Sequence, residues 1–358
     1  MRPLQLSLAI IDNRLGRVPK PGWCTYLVCY RCNARCKMCD SWRMKPGDEL
    51  TAEEVRTVFR KIGRLDVVRL TGGEPFLRED MLEVATAVLE ESNPSVIHIT
   101  SNGSFPERMV DFVKNFPKPK LLRFMISFDG LEEEHDESRG KDVTFQIAIE
   151  TVGKLVQLRK SHGIKVSINH TVISKTSLES YPELVEIFEP MGVDVHTVLA
   201  YSDSAMYGLK RRGKKADDLI TDTGYPLHPK LQDADCIGFV KQQMRDLAKV
   251  RDPILRIGKK YYLRGLLARL KNKQAPKPKP KCVALRSHIR LLPDGSVPVC
   301  QFNTEKMGNL VTQSFDEVWY ADHTNESREW VDGCPGCWAE CEVMPSAIFS
   351  GDLARNIR

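Results

Sequence analysis

Residues 25–40 read TYLVCYRCNARCKMCD, a short β-branched and aromatic run that passes directly into Cys32, Cys36 and Cys39, spaced C-x3-C-x2-C. Three thiolates this close on one loop supply three ligands and leave a fourth position open, and no histidine stands near enough in sequence to fill it. A structural zinc site usually presents two C-x2-C pairs or Cys/His pairs. Three cysteines on a loop after a strand suit a cubane iron–sulfur cluster with one iron left for a ligand that is not protein. A zinc knuckle is the plainer alternative for the same spacing. Cys24 and Cys29, upstream of the motif, read as buried strand cysteines.

Outward from that loop, short apolar runs alternate with helix-patterned segments. Thr25–Cys29, Val67–Leu70, Val96–Thr100, Arg123–Phe128, Val166–Thr171 and Asp194–Leu199 read as strands. Ala52–Gly63, Arg78–Glu91, Glu107–Asn115, Val143–Ser161 and Leu178–Met191 read as helices. Thr51 stands at capping-box spacing before Glu54, which marks a helix start. The strand runs are nearly continuous in hydrophobicity, which predicts strands covered on both faces. Such alternation predicts an α/β chain on a parallel sheet, either doubly wound or curled into a barrel. Periodicity does not choose between the two.

From Tyr201 the alternation stops. A polar stretch (Ser202–Gly224), a helix (Ile237–Val250) and the tract APKPKPK follow, with a boundary drawn at Gln274–Lys281. The chain is thus divided into residues 1–200, 201–281 and 282–358. In the last part, IRLL, the turn PDGS and VPVC (289–300) predict a β-hairpin.

The apolar fraction of 42% and charged fraction of 28% are those of a globular chain and exclude global disorder. The net charge of +6 is modest but uneven, because Leu255–Lys281 holds ten Lys or Arg and no acid. That block reads as a solvated face or as a contact for an anionic surface. Leu263, Leu266, Leu267 and Leu270 fall on one side of a helix, which predicts packing by that side. No run approaches the roughly 18 apolar residues that cross a bilayer. Leu4–Ile11 lacks the cleavage site of a secretory signal, so a cytoplasmic protein is expected. Eleven cysteines in a reducing compartment then need a use other than disulfides. Five lie between Cys24 and Cys39 and five between Cys282 and Cys341, which points to metal or cluster ligation near both ends.

The N-terminal loop resembles the radical S-adenosylmethionine (radical SAM) superfamily, whose C-x3-C-x2-C follows the first strand of a partial (β/α)6 TIM-like barrel. The resemblance covers residues 22–200. It implies a 4Fe–4S cluster on Cys32, Cys36 and Cys39 whose open iron chelates S-adenosylmethionine. It further implies one-electron cleavage to a 5′-deoxyadenosyl radical that abstracts a substrate hydrogen atom, fed by a reductant such as flavodoxin or ferredoxin. Met38 stands where the family usually has an aromatic residue near the adenine, and a thioether can also pack on a ring. Gly72, Gly73, Glu74 and Pro75 match the motif that binds the methionine amino group. Ser101 and Asn102 match positions that hold the ribose. Ser127 would meet the methionine or ribose part, Arg139 the carboxylate, and Asn169 with Thr171 would approach the cofactor from the fifth strand. Asp129 and His135 would organise their loop. The glycines and Asn102-Gly103 also fit ordinary turns.

Cys282, Gly295 and Cys300, then MGNL, FDEVW and CPGCWAEC (Cys334, Cys337, Cys341), resemble the auxiliary-cluster domains called SPASM and twitch. The full SPASM form uses about seven cysteines for two clusters. Five imply a twitch-like form with one auxiliary 4Fe–4S cluster on Cys282, Cys300, Cys334 and Cys337, with Cys341 as competitor. A zinc ion on the last three is the alternative. An auxiliary cluster that accepts an electron makes the net reaction an oxidation or the formation of a bond to carbon. Only about twenty residues precede the first strand, short for the leader-binding domain of peptide modifiers. A small molecule, sugar or lipid headgroup is therefore the expected substrate. A peptide or protein side chain is the alternative, and a non-catalytic iron–sulfur or zinc protein a remote one. Nucleic acid is not expected. His196, Tyr201 and Asp203, in or after the sixth strand, are placed to face a substrate.

Overall fold

The computed structural model describes residues 3–44, 47–202, 206–207, 225, 227–250, 252–271 and 276–356. Asp203, most of Ser202–Gly224 and the start of the Gln274–Lys281 tract lie outside the described residues.

A seven-stranded parallel sheet organises the chain. After helix α1 (Pro3–Arg14), β1 (Trp23–Cys29) leads into the cysteine loop, and α2 (Ala52–Ile62) returns the chain to β2 (Val67–Gly72). α3 (Met81–Ser92), β3 (Val96–Ser101), α4 (Pro106–Asn115) and β4 (Leu122–Phe128) repeat that step. α5 (Glu132–Arg139) and α6 (Thr144–His162) precede β5 (Lys165–Val172). α7 (Lys175–Glu179) and α8 (Tyr181–Phe188) precede β6 (Asp194–Leu199). Helices α9 (Asp233–Asp246) and α10 (Pro253–Lys271) lead to β7 (His288–Leu291). Then follow β8 (Ser296–Pro298), β9 (Lys306–Asn309), α11 (Phe315–Trp319), α12 (Asp322–Gly333), α13 (Glu340–Phe349) and α14 (Asp352–Arg355).

The strand order β6-β5-β4-β3-β2-β1-β7 decides between barrel and doubly wound sheet. β1 to β6 lie side by side in chain order without reversal, so right-handed crossovers put their helices on one face. The sheet curls about the other face as a partial barrel.

That inner face departs from expectation. Burial alternates along β3, β4 and β5. Ile97, Ile99, Phe124, Ile126 and Ile168 pack under the helices, while His98, Thr100, Arg123, Met125 and Asn169 occupy the opposite side. One apolar face suffices because only one is covered by helices. Each fully buried Val, Leu, Ile or Phe on it contributes about 1.5–3 kcal/mol relative to exposure.

Local signals are met closely. Thr51 and Glu54 form the capping box, with Glu54 N–H donating to Thr51 Oγ1 (3.3 Å) and Thr51 N–H to Glu54 Oε2 (2.8 Å). The helix expected over Leu178–Met191 is instead two, α7 and α8, meeting at Ser180 ahead of Pro182. The expected hairpin is present with different arms. IRLL joins the barrel sheet, where β7 runs parallel to β1, and β8 pairs antiparallel with β9. The turn between β7 and β8 still closes, with Leu292 N–H donating to Ser296 O (2.9 Å). Lys61 of α2 donates to the carbonyls of Leu310, Val311 and Gln313, which fastens the C-terminal part to the barrel. Among the described residues no helix is long and apolar enough to cross a membrane.

Candidate active site

β1 is buried at all seven positions and delivers the cysteine loop to the C-terminal end of the sheet, where parallel α/β folds place their sites. Cys24 and Cys29 are fully buried in it, and the Cys29 thiol donates to Glu74 O (3.3 Å). Cys32, Cys36 and Cys39 are half-buried on the loop beyond.

Two neighbouring segments hold that loop. From β2, Gly73 N–H donates to Cys29 O and Glu74 N–H to Arg31 O, both at 2.8 Å. A Cβ on Gly73 would lie 2.0 Å from Arg31 O, and one on Gly72 (φ +141°) would lie 2.3 Å from Cys29 O. The glycines thus admit the cysteine loop's own backbone. From α5, the last carbonyls receive the loop: Arg35 N–H donates to Arg139 O (2.8 Å) and Lys37 N–H to Ser138 O (3.0 Å).

Glu74 is fully buried ahead of the 3-10 turn that begins at Pro75. Its carboxylate accepts from Ser101 Oγ (2.8 Å), Asn102 N–H (2.7 Å) and Phe76 N–H (3.1 Å), joining the ends of β2 and β3. Burial raises its pKa to about 6 against the pull of those donors. Asn102 Nδ2 donates to Asn33 Oδ1 (2.8 Å) and lies 3.9 Å from Cys32 Sγ. Arg139 is buried, with its fork on Asp129 at 2.7 and 2.8 Å. The expected carboxylate contact would therefore fall to its remaining donors, one of which already lies against Cys36. Ser127 sits half-buried at the end of β4 beside Asn169, whose amide donates to Thr171 Oγ1 (3.3 Å).

A cavity of about 600 Å³ opens at this end of the barrel. Met38, Cys39, Thr71, Thr100, Asn169 and Thr171 of the barrel line it together with Arg290, Gln301, Glu340 and Cys341 of the C-terminal part. Tyr201 lines it as well. His196 is instead buried against Glu340 (2.8 Å). Arg69 and Arg290 line the cavity from either side of Thr25 at one register level. Sequence reasoning missed both, although a lone arginine in an apolar strand run was a visible sign.

The C-terminal cysteines divide. Cys282, Cys300, Cys334 and Cys337 line a second cavity, of about 280 Å³, beneath α10 and α12. Each sulfur is approached by a backbone N–H two residues on: Ala284, Phe302, Gly336 and Ala339 respectively. The same pattern recurs at Cys32 (Ala34) and Cys39 (Ser41, 3.4 Å). Cys341 faces the barrel cavity, and its thiol donates to Gln301 Oε1. Its neighbours fix it there. Glu342, fully buried, pairs with Arg290 (2.7 Å) and His288 (3.2 Å). Burial opposes the charge on Glu342, but Arg290 and His288 overcome that and hold the carboxyl at about 2.

These donor sets fit iron–sulfur clusters. Burial raises Cys32 to about 11 and Cys39 and Cys282 to about 12. Such thiols ionise only when a cation meets them; iron would supply it, and the N–H groups and Arg139 would favour the bound thiolates.

A model of the radical SAM superfamily matches residues 26–188, and a model of the SPASM iron–sulfur cluster-binding domain matches residues 282–341. The chain is 27% identical to a GTP 3′,8-cyclase of Aquifex aeolicus over 318 residues, covering 81% of this chain and 86% of the cyclase. It is 30% identical to a pre-heme d1 synthase of Dinoroseobacter shibae over 201 residues, covering 53% of this chain and 46% of the synthase. In fold it is similar to Streptococcus suis SuiB bound to S-adenosylmethionine, with a TM-score of 0.62, 16% identity, and 87% and 68% of the two chains covered.

Proposed function

We propose, for a chain that belongs to the radical SAM superfamily and closes with a SPASM domain, that the barrel cavity is where a hydrogen atom is taken from a small molecule, sugar or lipid headgroup. The 4Fe–4S cluster and S-adenosylmethionine of this enzyme superfamily supply a 5′-deoxyadenosyl radical for that purpose. Cys32, Cys36 and Cys39 hold the cluster in this reading. Met38 and Asn169 flank the nucleotide, Gly73 and Glu74 present the β2 end to its amino group, and Ser101, Asn102 and Ser127 edge the site.

One observation carries the reading: Met38 and Cys39 of the cofactor loop and Gln301 and Cys341 of the C-terminal part line one and the same cavity. A substrate there touches both the cofactor loop and the C-terminal part. Cys282, Cys300, Cys334 and Cys337 would hold one auxiliary cluster, which would supply an electron acceptor for a net oxidation or bond formation to carbon. The likeness to the Aquifex cyclase runs through most of both chains and supports a small-molecule substrate over a peptide.

The test is anaerobic reconstitution with iron and sulfide, then dithionite and S-adenosylmethionine. Formation of 5′-deoxyadenosine is expected. Correctly loaded protein that makes none would sink the proposal.

A further inference from the structure

Helix α10 is the core of the basic block Leu255–Lys281, and its most deeply placed arginine faces neither solvent nor a surface. Arg269 is 2% exposed. Its guanidinium lies 3.7 Å from the centroid of the Trp338 ring and donates to Gly265 O and Pro278 O, both at 3.1 Å. Among the described residues no carboxylate pairs with it. A buried guanidinium without a counter-ion is costly unless another negative charge is present.

The surroundings of α10 are shaped to keep it there. Gly265 leaves room for Trp338, because a Cβ would stand 1.8 Å from that ring. Tyr261 and Tyr262 stack on the same ring at 5.7 and 6.2 Å, and Trp338 Nε1 donates to Tyr262 O (3.0 Å). Trp338 directly follows Cys337, and Arg269 lines the cavity that Cys282, Cys300, Cys334 and Cys337 share. Of those sulfurs Cys337 acts directly on the Arg269 charge, while Glu342, which lines the same cavity, is taken up by Arg290 and His288.

We propose that Arg269 is the internal counter-charge of the auxiliary cluster and raises its reduction potential, with α10 and Trp338 holding the guanidinium in place. This rests on the reading of those four cysteines as cluster ligands. Reduction adds one electron and no proton, so the cluster's net charge becomes more negative. A fixed cation in a low-dielectric site favours that reduced form.

The test follows the auxiliary cluster by EPR during a dithionite titration of full-length, reconstituted C32A/C36A/C39A protein, which leaves only the C-terminal signal. Arg269→Gln is expected to shift the reduction equilibrium at least tenfold toward the oxidised form, about 59 mV for one electron. Arg269→Lys, which keeps the charge, is expected to recover most of that shift. An arginine that serves packing alone would lower thermal stability in Arg269→Gln and leave the potential where it was, overturning the proposal. A lysine variant shifted as far as the glutamine one would do the same. Should Arg269→Gln not fold, Gly265→Ala displaces Trp338 and the guanidinium together. A shift in the same direction then supports the proposal, and an unmoved potential overturns it. Iron for one cluster alone, about four per wild-type chain, would remove the ligand reading itself, a result distinct from a loaded cluster with an unchanged potential.

Discussion

The two cysteine sites use the same ligand chemistry and are built in opposite ways. The N-terminal three come from one short loop, and Cys39 among them lines the larger cavity. Their nearby cation, Arg139, is neutralised by Asp129. The C-terminal four converge from separate segments around β7, α12 and α13, and line a smaller cavity beside Arg269, which meets no carboxylate among the described residues. A site short of one thiolate and open to a cavity is suited to exchanging a ligand. A site with a full set of thiolates and an aromatic wall is suited to holding charge.

The comparison breaks most readily at the ligands. Cys32→Ala is expected to reduce 5′-deoxyadenosine formation at least ~1,000-fold, whereas Cys337→Ala should retain cleavage, lose substrate turnover and lose about half the iron. Equal loss of cleavage in a folded Cys337→Ala protein would erase the distinction between the sites.

Next in size is the buried pair that joins β7 to α13. Arg290→Met leaves Glu342 with His288 and the Gln301 N–H but without its guanidinium, and is expected to cost about 3–5 kcal/mol by chemical denaturation. Arg290→Met with Glu342→Gln should recover much of that loss. A double variant as unstable as the single one would show that Arg290 acts by shape alone.

Glu74→Gln keeps the shape of the β2–β3 junction but replaces one acceptor oxygen with a donor facing Ser101 or Asn102. An expected loss of about 1–3 kcal/mol should accompany weaker S-adenosylmethionine binding, read by calorimetry on the loaded protein.

The smallest effect sharpens the contrast within the C-terminal part. Cys341→Ser should leave iron content unchanged, because its thiol faces Gln301 and the barrel cavity. Loss of iron equal to that of Cys337→Ala would place Cys341 among the ligands.

What could be read from the sequence was local. The six strands of the arc sit within a residue or two of their expected bounds, because β-branched runs, the capping box at Thr51 and the strand-end glycines act over a few residues. The polar inner face was only hinted at, since Arg69 in the run VVRL was a sign but the side it takes is set by the partner strands. The place of β7 was not legible, since its partner β1 lies at the other end of the chain. The resemblance implied the grouping of Cys282, Cys300, Cys334 and Cys337 but left Cys341 as competitor, because Cys337 and Cys341 are one helical turn apart in spacing; in the fold Cys341 turns to Gln301 and the barrel cavity. Gly265 inside a helix was a sign of close packing whose partner, Trp338, only the fold reveals.

The pairing of β7 with β1 has a consequence for how the molecule is made. On the ribosome β1 emerges early, and the strand that covers its far edge is translated near the end. Until then a largely apolar strand offers free amides and carbonyls to any neighbouring nascent chain. A truncation ahead of His288 is therefore expected to yield inclusion bodies rather than a soluble, inactive barrel.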